Sequence, residues 1–296
     1  MEKEHLFCQY KQIMPCDKNH TLENLSENQF YFSNPYTFND PFDCKINIEL
    51  RGPEHTWIKW LVTNNYAPDE EKARKILYNN SSFKREENYF ILENGRINNE
   101  EQEYSLHGDI KKKQLPSVCC FSKTDTNILM WSHYADYHRG ICIRYKPIFH
   151  PNNPRGDQYS FLLRQAGQPI ASEFYNVIYK NKVPEKLNIL LFMHEHFNKF
   201  LYTKFCEWKY EQEYRLILLH DTGIVNYGES VLEGVVLGSK ITPNHAKLVY
   251  EAIKKKHNIA HVNFYEAKEE PHHYAIISEK IKNIAEYIDN LKLSTT

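Results

Sequence analysis

The sequence predicts an α+β fold built on a single mixed or antiparallel sheet with flanking helices. Two observations carry that expectation. Short runs of strand character, such as the apolar stretches at residues 117–122 and 140–145, recur along the whole chain of 296 residues. Segments of helical period lie between some of these runs and not others, so the strict strand–helix alternation of a doubly wound sheet is missing. A 41% apolar composition supplies a sizeable core, and the absence of internal repeats or low-complexity linkers reads as a single domain, 1–296.

The elements follow in order. Leu6, Phe7 and Tyr10 mark a first strand at 5–11. A helical turn at 21–27 leads into a second strand at 29–32, which Ser33-Asn34-Pro35 breaks. Asn39-Asp40-Pro41 is a turn signal, because the residue before proline avoids the helical region. Residues 54–109 look mostly helical from the three- and four-residue spacing of Trp57, Trp60 and Leu61, and are expected as a helical insertion around 54–113. Acids at 69–71 open its second helix, where the macrodipole favours them. A buried strand at 117–122 is followed by a short helix to 134 capped by Asp125 or Thr126, then a strand at 140–145 and a long loop at 147–168. A strand at 174–179, a helix at 184–206 and a strand at 210–219 come next. A core strand at 235–238, a helix at 243–256, strands at 259–265 and 274–277 and a C-terminal helix to 291 complete the set.

Composition narrows the function. A net charge of −1 disfavours a protein that coats nucleic acid through nonspecific phosphate contacts. The charged start gives no secretory signal, and no apolar run reaches the ~18–20 residues of a membrane span, so a cytoplasmic protein with no membrane partner is expected. Seven irregularly spaced cysteines without a CxxC pair fit reduced, buried thiols, and no metal site is expected.

Three polar clusters stand out. The first is Tyr31-Phe32-Ser33-Asn34-Pro35 with Phe38-Asn39-Asp40-Pro41-Phe42-Asp43. It is either a turn whose Asn39 or Asp40 bonds its own backbone, or a rigid loop presenting Asp40 or Asp43 to a pocket. The second runs from Trp131 to His138. On a continuous helix His133 and Tyr137 share a face, as do Tyr134 and His138, and Asp136 could orient His133 for proton transfer; the bland reading is an aromatic helix end. The third is Lys204 followed by Trp208 to Arg215. Read as a strand, it puts Glu211, Glu213 and Arg215 on one face. Burying a carboxylate there is costly unless it is paired, so this is either a charge ladder with Arg215 on Glu213 or an acidic catalytic pair held on a rigid strand.

Taken in order, "FYFSNPYTFNDPFD", "CCFSKTDTNILMWSHYADYHRGICI" and "KFCEWKYEQEYRLI" resemble a bacterial family known as domain of unknown function 2971. That resemblance implies one conserved-order domain, often met near bacterial toxin or antiphage defence genes, and partner proteins of such systems. The layout also resembles the ADP-ribosyltransferases, which carry a polar residue on the first strand, an aromatic–Ser stretch on the second and Glu-x-Glu on a late strand. The matching positions are Tyr10 or Lys11, then Tyr31 to Ser33, then Glu211 and Glu213. The likeness implies NAD as substrate, Glu213 holding the ribose and stabilising an oxocarbenium-like cation, and Glu211 serving the acceptor, a protein or nucleic acid. Tyr31 or Tyr134 would stack on nicotinamide. Glu213, Glu211 and His133 are thus the catalytic candidates. Tyr10, Tyr31, Ser33, Asn39, Asp40, Asp43, Trp131, Tyr134 and Arg215 are the binding candidates for a nucleotide-type molecule. Two competing readings remain: a Mg²⁺-dependent nuclease toxin using Asp40, Asp43, Glu211 and Glu213 with His133 as base, and a noncatalytic nucleotide or metabolite sensor.

Overall fold

A computed structural model describes residues 5–14, 20–44, 48–92, 96–98, 103–105, 116–149, 159–170, 174–188, 190, 199–218, 223–255 and 261–293. Its internal contacts divide the chain into two compact units. The first comprises Met1–Asn34, Ser117–Val177 and Cys206–Thr296; the second comprises Pro35–Pro116 and Ile178–Phe205.

The first unit carries the elements that matter for the site. They are β1 (Phe7–Lys11), α1 (His20–Ser26), β2 (Gln29–Phe32), β3 (Ser117–Ser122), α2 (Ile128–Tyr134), β4 (Ile141–Tyr145), β5 (Leu163–Gln165), β6 (Gln168–Ile170), β7 (Phe174–Asn176), β8 (Glu213–Leu218), β9 (Gly223–Tyr227), β10 (Leu232–Leu237), α3 (Pro243–Lys254), β11 (Asn263–Glu269), β12 (Ile276–Lys280) and α4 (Ile284–Leu293). An eight-stranded sheet runs β7-β8-β3-β1-β4-β10-β11-β12, and a four-stranded sheet runs β6-β5-β9-β2. The large sheet is antiparallel except where β10 and β11 run parallel across the α3 crossover. The α+β class and its large mixed sheet are as the sequence predicts.

Alternation along the strands gives the large sheet two unlike faces. One face packs Phe7, Phe121, Ile143, Phe174, Leu216, Val235 and Leu237 with residues of β2, β5, β9 and α3 into the main core. Its aromatics interlock: Phe7 stacks on Phe174 at 4.2 Å and meets Tyr214 edge-on at 4.9 Å. The other face carries Cys8, Tyr10, Cys142, Val236 and Tyr265, and packs against Met130 and Trp131 of α2.

The second unit has its own core around Trp57, Leu61, Ala73, Leu77 and Phe90. The Trp57 indole donates to the Phe90 carbonyl at 2.8 Å, and Asp69 caps the Glu70–Asn79 helix through Lys72 N at 2.8 Å. Here the helical reading of 54–109 needs correction. Helices cover Glu54–Thr63 and Glu70–Asn79, after which Phe83–Glu86, Tyr89–Leu92, Arg96–Asn98 and Glu103–Ser105 are strands. Phe83–Glu86 alternates poorly in polarity, and it pairs because Tyr89–Leu92 supplies the buried Phe90 and Leu92. The helix expected at 184–206 is also corrected at its ends, where Leu187–Asn188 and Thr203–Phe205 are strands; residues 191–198 lie outside the described residues. The strand expected at 174–179 is two strands, since Val177 separates Phe174–Asn176 from Ile178–Lys180 and each half has a different partner. Among the described residues no helix is long and apolar enough to cross a membrane.

Candidate functional site

The site grows from one backbone irregularity. Residues Cys206–Glu211 form a 3-10 helix, and β8 begins only at Glu213. Between them Gln212 sits at φ 47°, in the left-handed region. Its N–H bonds the Lys209 carbonyl at 3.2 Å, and its own carbonyl accepts from Lys123 N at 3.2 Å. The strand alternation expected through 210–215 is therefore broken one residue before β8, and Glu211 does not share a strand face with Glu213 and Arg215. Alternation alone could not reveal this, because a single left-handed residue resets it.

Both carboxylates are buried, each at 3% exposure, and each has a different partner. Glu213 is engaged by the fully buried Arg215: Nε donates to Oε1 at 2.7 Å and Nη2 to Oε2 at 3.1 Å. A two-point guanidinium–carboxylate pair of this kind is strong and geometrically fixed. Glu211 receives the Tyr134 hydroxyl on Oε1 at 2.6 Å, while its backbone carbonyl accepts from Ser122 Oγ at 2.8 Å.

Helix α2 brings the second cluster onto the third. Asn127 caps the helix, its Oδ1 accepting from Met130 N at 3.1 Å and its Nδ2 donating to the Tyr210 carbonyl at 2.7 Å. The capping residue is thus Asn127 rather than Asp125 or Thr126. At the other end, His133 Nδ1 and the Tyr210 hydroxyl are hydrogen-bonded at 3.0 Å. Trp208 tilts against Tyr210 with ring centroids 6.0 Å apart. The result is a rim of exposed His133 and half-buried Tyr210 and Trp208 beside the Tyr134–Glu211 pair.

Several roles expected from the sequence change here. The helix stops at Tyr134, and Asp136, Tyr137 and His138 have φ of 47°, 51° and 70°, so the face-sharing expected for 133/137 and 134/138 is lost. Asp136 pairs with Arg139 at 2.8 Å and does not orient His133. This left-handed run lies against the sheet because Gly140 and Gly238 allow it: a Cβ at Gly140 would stand 2.2 Å from the Lys11 carbonyl, and one at Gly238 2.1 Å from that of His138. Trp131, a binding candidate, is fully buried; its indole donates to the Asp125 carbonyl at 2.7 Å. Tyr10, another, is buried with its hydroxyl fixed between the Thr124 carbonyl and Asn127 N, and burial pushes its pKa far up. These two are supports of the site, and Arg215 is the partner of Glu213.

The first cluster divides. Tyr31 is 55% exposed on β2, on the far side of the large sheet from Tyr134. Ser33 makes a backbone bridge to Val118, 2.9 Å in both directions. Asn39, Asp40 and Asp43 belong to the second unit. There Asn39 is exposed, and Asp40 Oδ1 accepts from Phe42 N at 2.9 Å in the turn that binds its own backbone. Asp43 lies 3.5 Å from Lys204, both side chains buried, and accepts from Cys44 Sγ at 3.4 Å.

Sequence reasoning left Asn127 and Ser122 out. Asn127 had a usable signal, an N-cap residue type directly before the apolar run Ile128-Leu129-Met130. A second polar network borders the same sheet face. Arg144 pairs with Asp125, which also accepts from Ser278 Oγ at 2.7 Å, and Arg144 lies over the Tyr265 ring at 3.7 Å. Burial and the Glu233 carboxylate beside it push the Tyr265 hydroxyl up to about 12. Among the described residues, no three His, Cys, Asp or Glu side chains are grouped to hold a metal ion.

Residues 130–216 match the family described as Protein of unknown function (DUF2971). The matched stretch begins inside α2 and ends in β8, so it contains the whole Tyr134–Glu211 and His133–Tyr210 arrangement. The family resemblance carried by the second and third clusters is thereby supported. No curated protein and no solved structure matches the chain.

Proposed function

We propose that this protein is an ADP-ribosyltransferase-like enzyme of the cytoplasm that cleaves NAD and passes ADP-ribose to a protein or nucleic acid, as an effector of a bacterial toxin or defence system. The observation that carries the reading is the Tyr134–Glu211 hydrogen bond at 2.6 Å set beside the solvent-facing His133–Tyr210 pair. It joins a fixed buried carboxylate to a titratable group and to aromatic rings that suit a nucleotide. In the reaction the ribose C1′–nicotinamide bond breaks and its electron pair leaves with nicotinamide. The cation left on the ribose is stabilised by the Glu211 carboxylate, which Tyr134 orients. The acceptor attacks C1′ and gives its proton to His133. Glu213 carries a structural role in this scheme, because both of its oxygens accept from Arg215.

The test is nicotinamide release from NAD with cell lysate as acceptor. Glu211→Gln is expected to lower release at least ~100-fold, the scale of losing one preorganised electrostatic group. Wild-type turnover in Glu211→Gln would overturn the scheme. A second reading, a noncatalytic nucleotide or metabolite sensor, is favoured by that same Arg215–Glu213 pair, which occupies one of the two carboxylates. It predicts thermal stabilisation by NAD without any release. The nuclease reading is weakened by the pairing of two of its four acids, Asp43 with Lys204 and Glu213 with Arg215.

A further inference from the structure

On the opposite face of the large sheet from Glu211 lies a cleft of about 540 Å³ between β1, α1, β2 and β4. That size falls within the roughly 300–1,000 Å³ typical of small-ligand sites. Its walls differ in character. One is the exposed cross-strand pair Tyr31 and Ile224, register partners on β2 and β9 that are 55% and 52% exposed. The floor is Gln9 and Tyr145. The Gln9 amide donates to Cys119 Sγ at 3.2 Å and to the Cys120 carbonyl at 2.9 Å, and accepts from the Tyr145 hydroxyl at 3.2 Å. The floor is therefore rigid and its polar groups are committed.

The remaining lining includes the apolar Leu25 and Ile143 and the His20–Glu23 pair, but three of its polar side chains stand uncommitted. Lys11, half-buried at the end of β1, has no ion pair among the described residues. The side-chain amides of Asn24 and Gln29 likewise make no hydrogen bond there. The one carboxylate on the wall, Glu23, lies on the outer surface of α1 and is 3.8 Å from His20. An unpaired ammonium calls for an anion. Two free amides, each both donor and acceptor, suit the edge of a heterocycle. An exposed tyrosine beside an aliphatic chain suits its flat face.

We infer that this cleft binds a planar heterocycle carrying an anionic group, a ligand of the mononucleotide class, with the ring against Tyr31 and Ile224, its edge on Asn24 and Gln29, and the anion on Lys11. The site does not depend on the reaction proposed for Glu211, which lies across the sheet. It gives the protein a place to read a nucleotide independently of any it consumes.

Calorimetric titration of the full chain with adenosine 5′-monophosphate, adenosine and inorganic phosphate tests this. Saturable binding of the monophosphate is expected, with adenosine and phosphate each at least about tenfold weaker. Lys11→Gln should weaken the monophosphate about tenfold and leave adenosine unchanged. Tyr31→Ala should weaken both, and Tyr31→Phe should restore them. His133→Ala, across the sheet, should change none of the affinities. The inference is overturned if the monophosphate fails to saturate at millimolar concentration. It is equally overturned if Lys11→Gln and Tyr31→Ala leave its affinity intact, or if His133→Ala abolishes it.

Discussion

The two faces of the eight-stranded sheet are made of the same strands and hold together by different physics. The face toward β2 and β9 is continuous apolar packing, in which Phe7, Phe121 and Phe174 interlock. The face toward α2 carries Glu213, Arg215, Tyr10 and Arg144 among its apolar residues. On the first face each side chain contributes through area and fit, so the effect of its loss is local. On the second, charged groups are tolerated only because each meets a partner, so the cost of a change depends on what is left behind. The proposed chemistry sits on the second face, where polar groups are already held in place.

The largest expected effect breaks the polar face. Arg215→Ala leaves the Glu213 carboxylate without its two-point partner inside the protein and should cost about 3–5 kcal/mol, read from chemical denaturation. Replacing both, Glu213→Leu with Arg215→Met, should recover most of that loss, because well-packed apolar residues often match a buried ion pair. Failure of the double variant to recover would mean that the pair contributes more than mutual neutralisation. The apolar face has no such rescue. Phe174→Ala should also cost about 3–5 kcal/mol, through a cavity under Phe7 that no second polar change repairs. Smaller is Asn127→Ala, about 1 kcal/mol for the lost cap. If Asn127 also holds Tyr210 in place, nicotinamide release should fall further than this modest destabilisation accounts for.

The smallest effect concerns pH. Burial, and then the Lys240 charge, hold the His138 pKa below its usual value, while Glu269 opposes them. The unfolded chain therefore binds the proton more readily. The contribution is fully present above the unfolded pKa near 6.5 and is lost as pH falls through the folded value below it. His138→Gln should flatten the fall in denaturation midpoint between about pH 7 and 5; an unchanged slope would assign that fall to other groups.

The contrast between the faces also explains what could be read from the chain. The strands β1, β3, β4 and β10 were legible because buried residues occupy both faces and leave short apolar runs, as in Ser117–Ser122. The third cluster was legible as a site and misread as geometry. Glu211 looks like the next rung of a ladder with Glu213 and Arg215, and only the left-handed Gln212 removes it. The same holds in the second cluster, where His133 to His138 reads as a helix until three left-handed residues end it at Tyr134. The meeting of Tyr134 with Glu211 depends on a sheet register that joins residues 77 positions apart, which no local pattern encodes. Tyr31 fails for the converse reason: its alternation places it outward, and nothing in one strand tells which side of the second sheet that is.

The position of β1 has a consequence for how the chain is made. This strand lies in the interior of the sheet, between β3 and β4, and Gln9 bonds a carbonyl 111 residues further along. A ribosome adding about 5–20 residues per second takes roughly 6–22 s to reach that partner. Once it has left the exit tunnel, the Phe7–Lys11 segment spends the rest of that interval with both edges open, because the strands that flank it do not yet exist. Synthesis speed between residues 12 and 145, and whatever shelters the nascent segment meanwhile, thus govern the yield of active protein before the Glu211 carboxylate has been made.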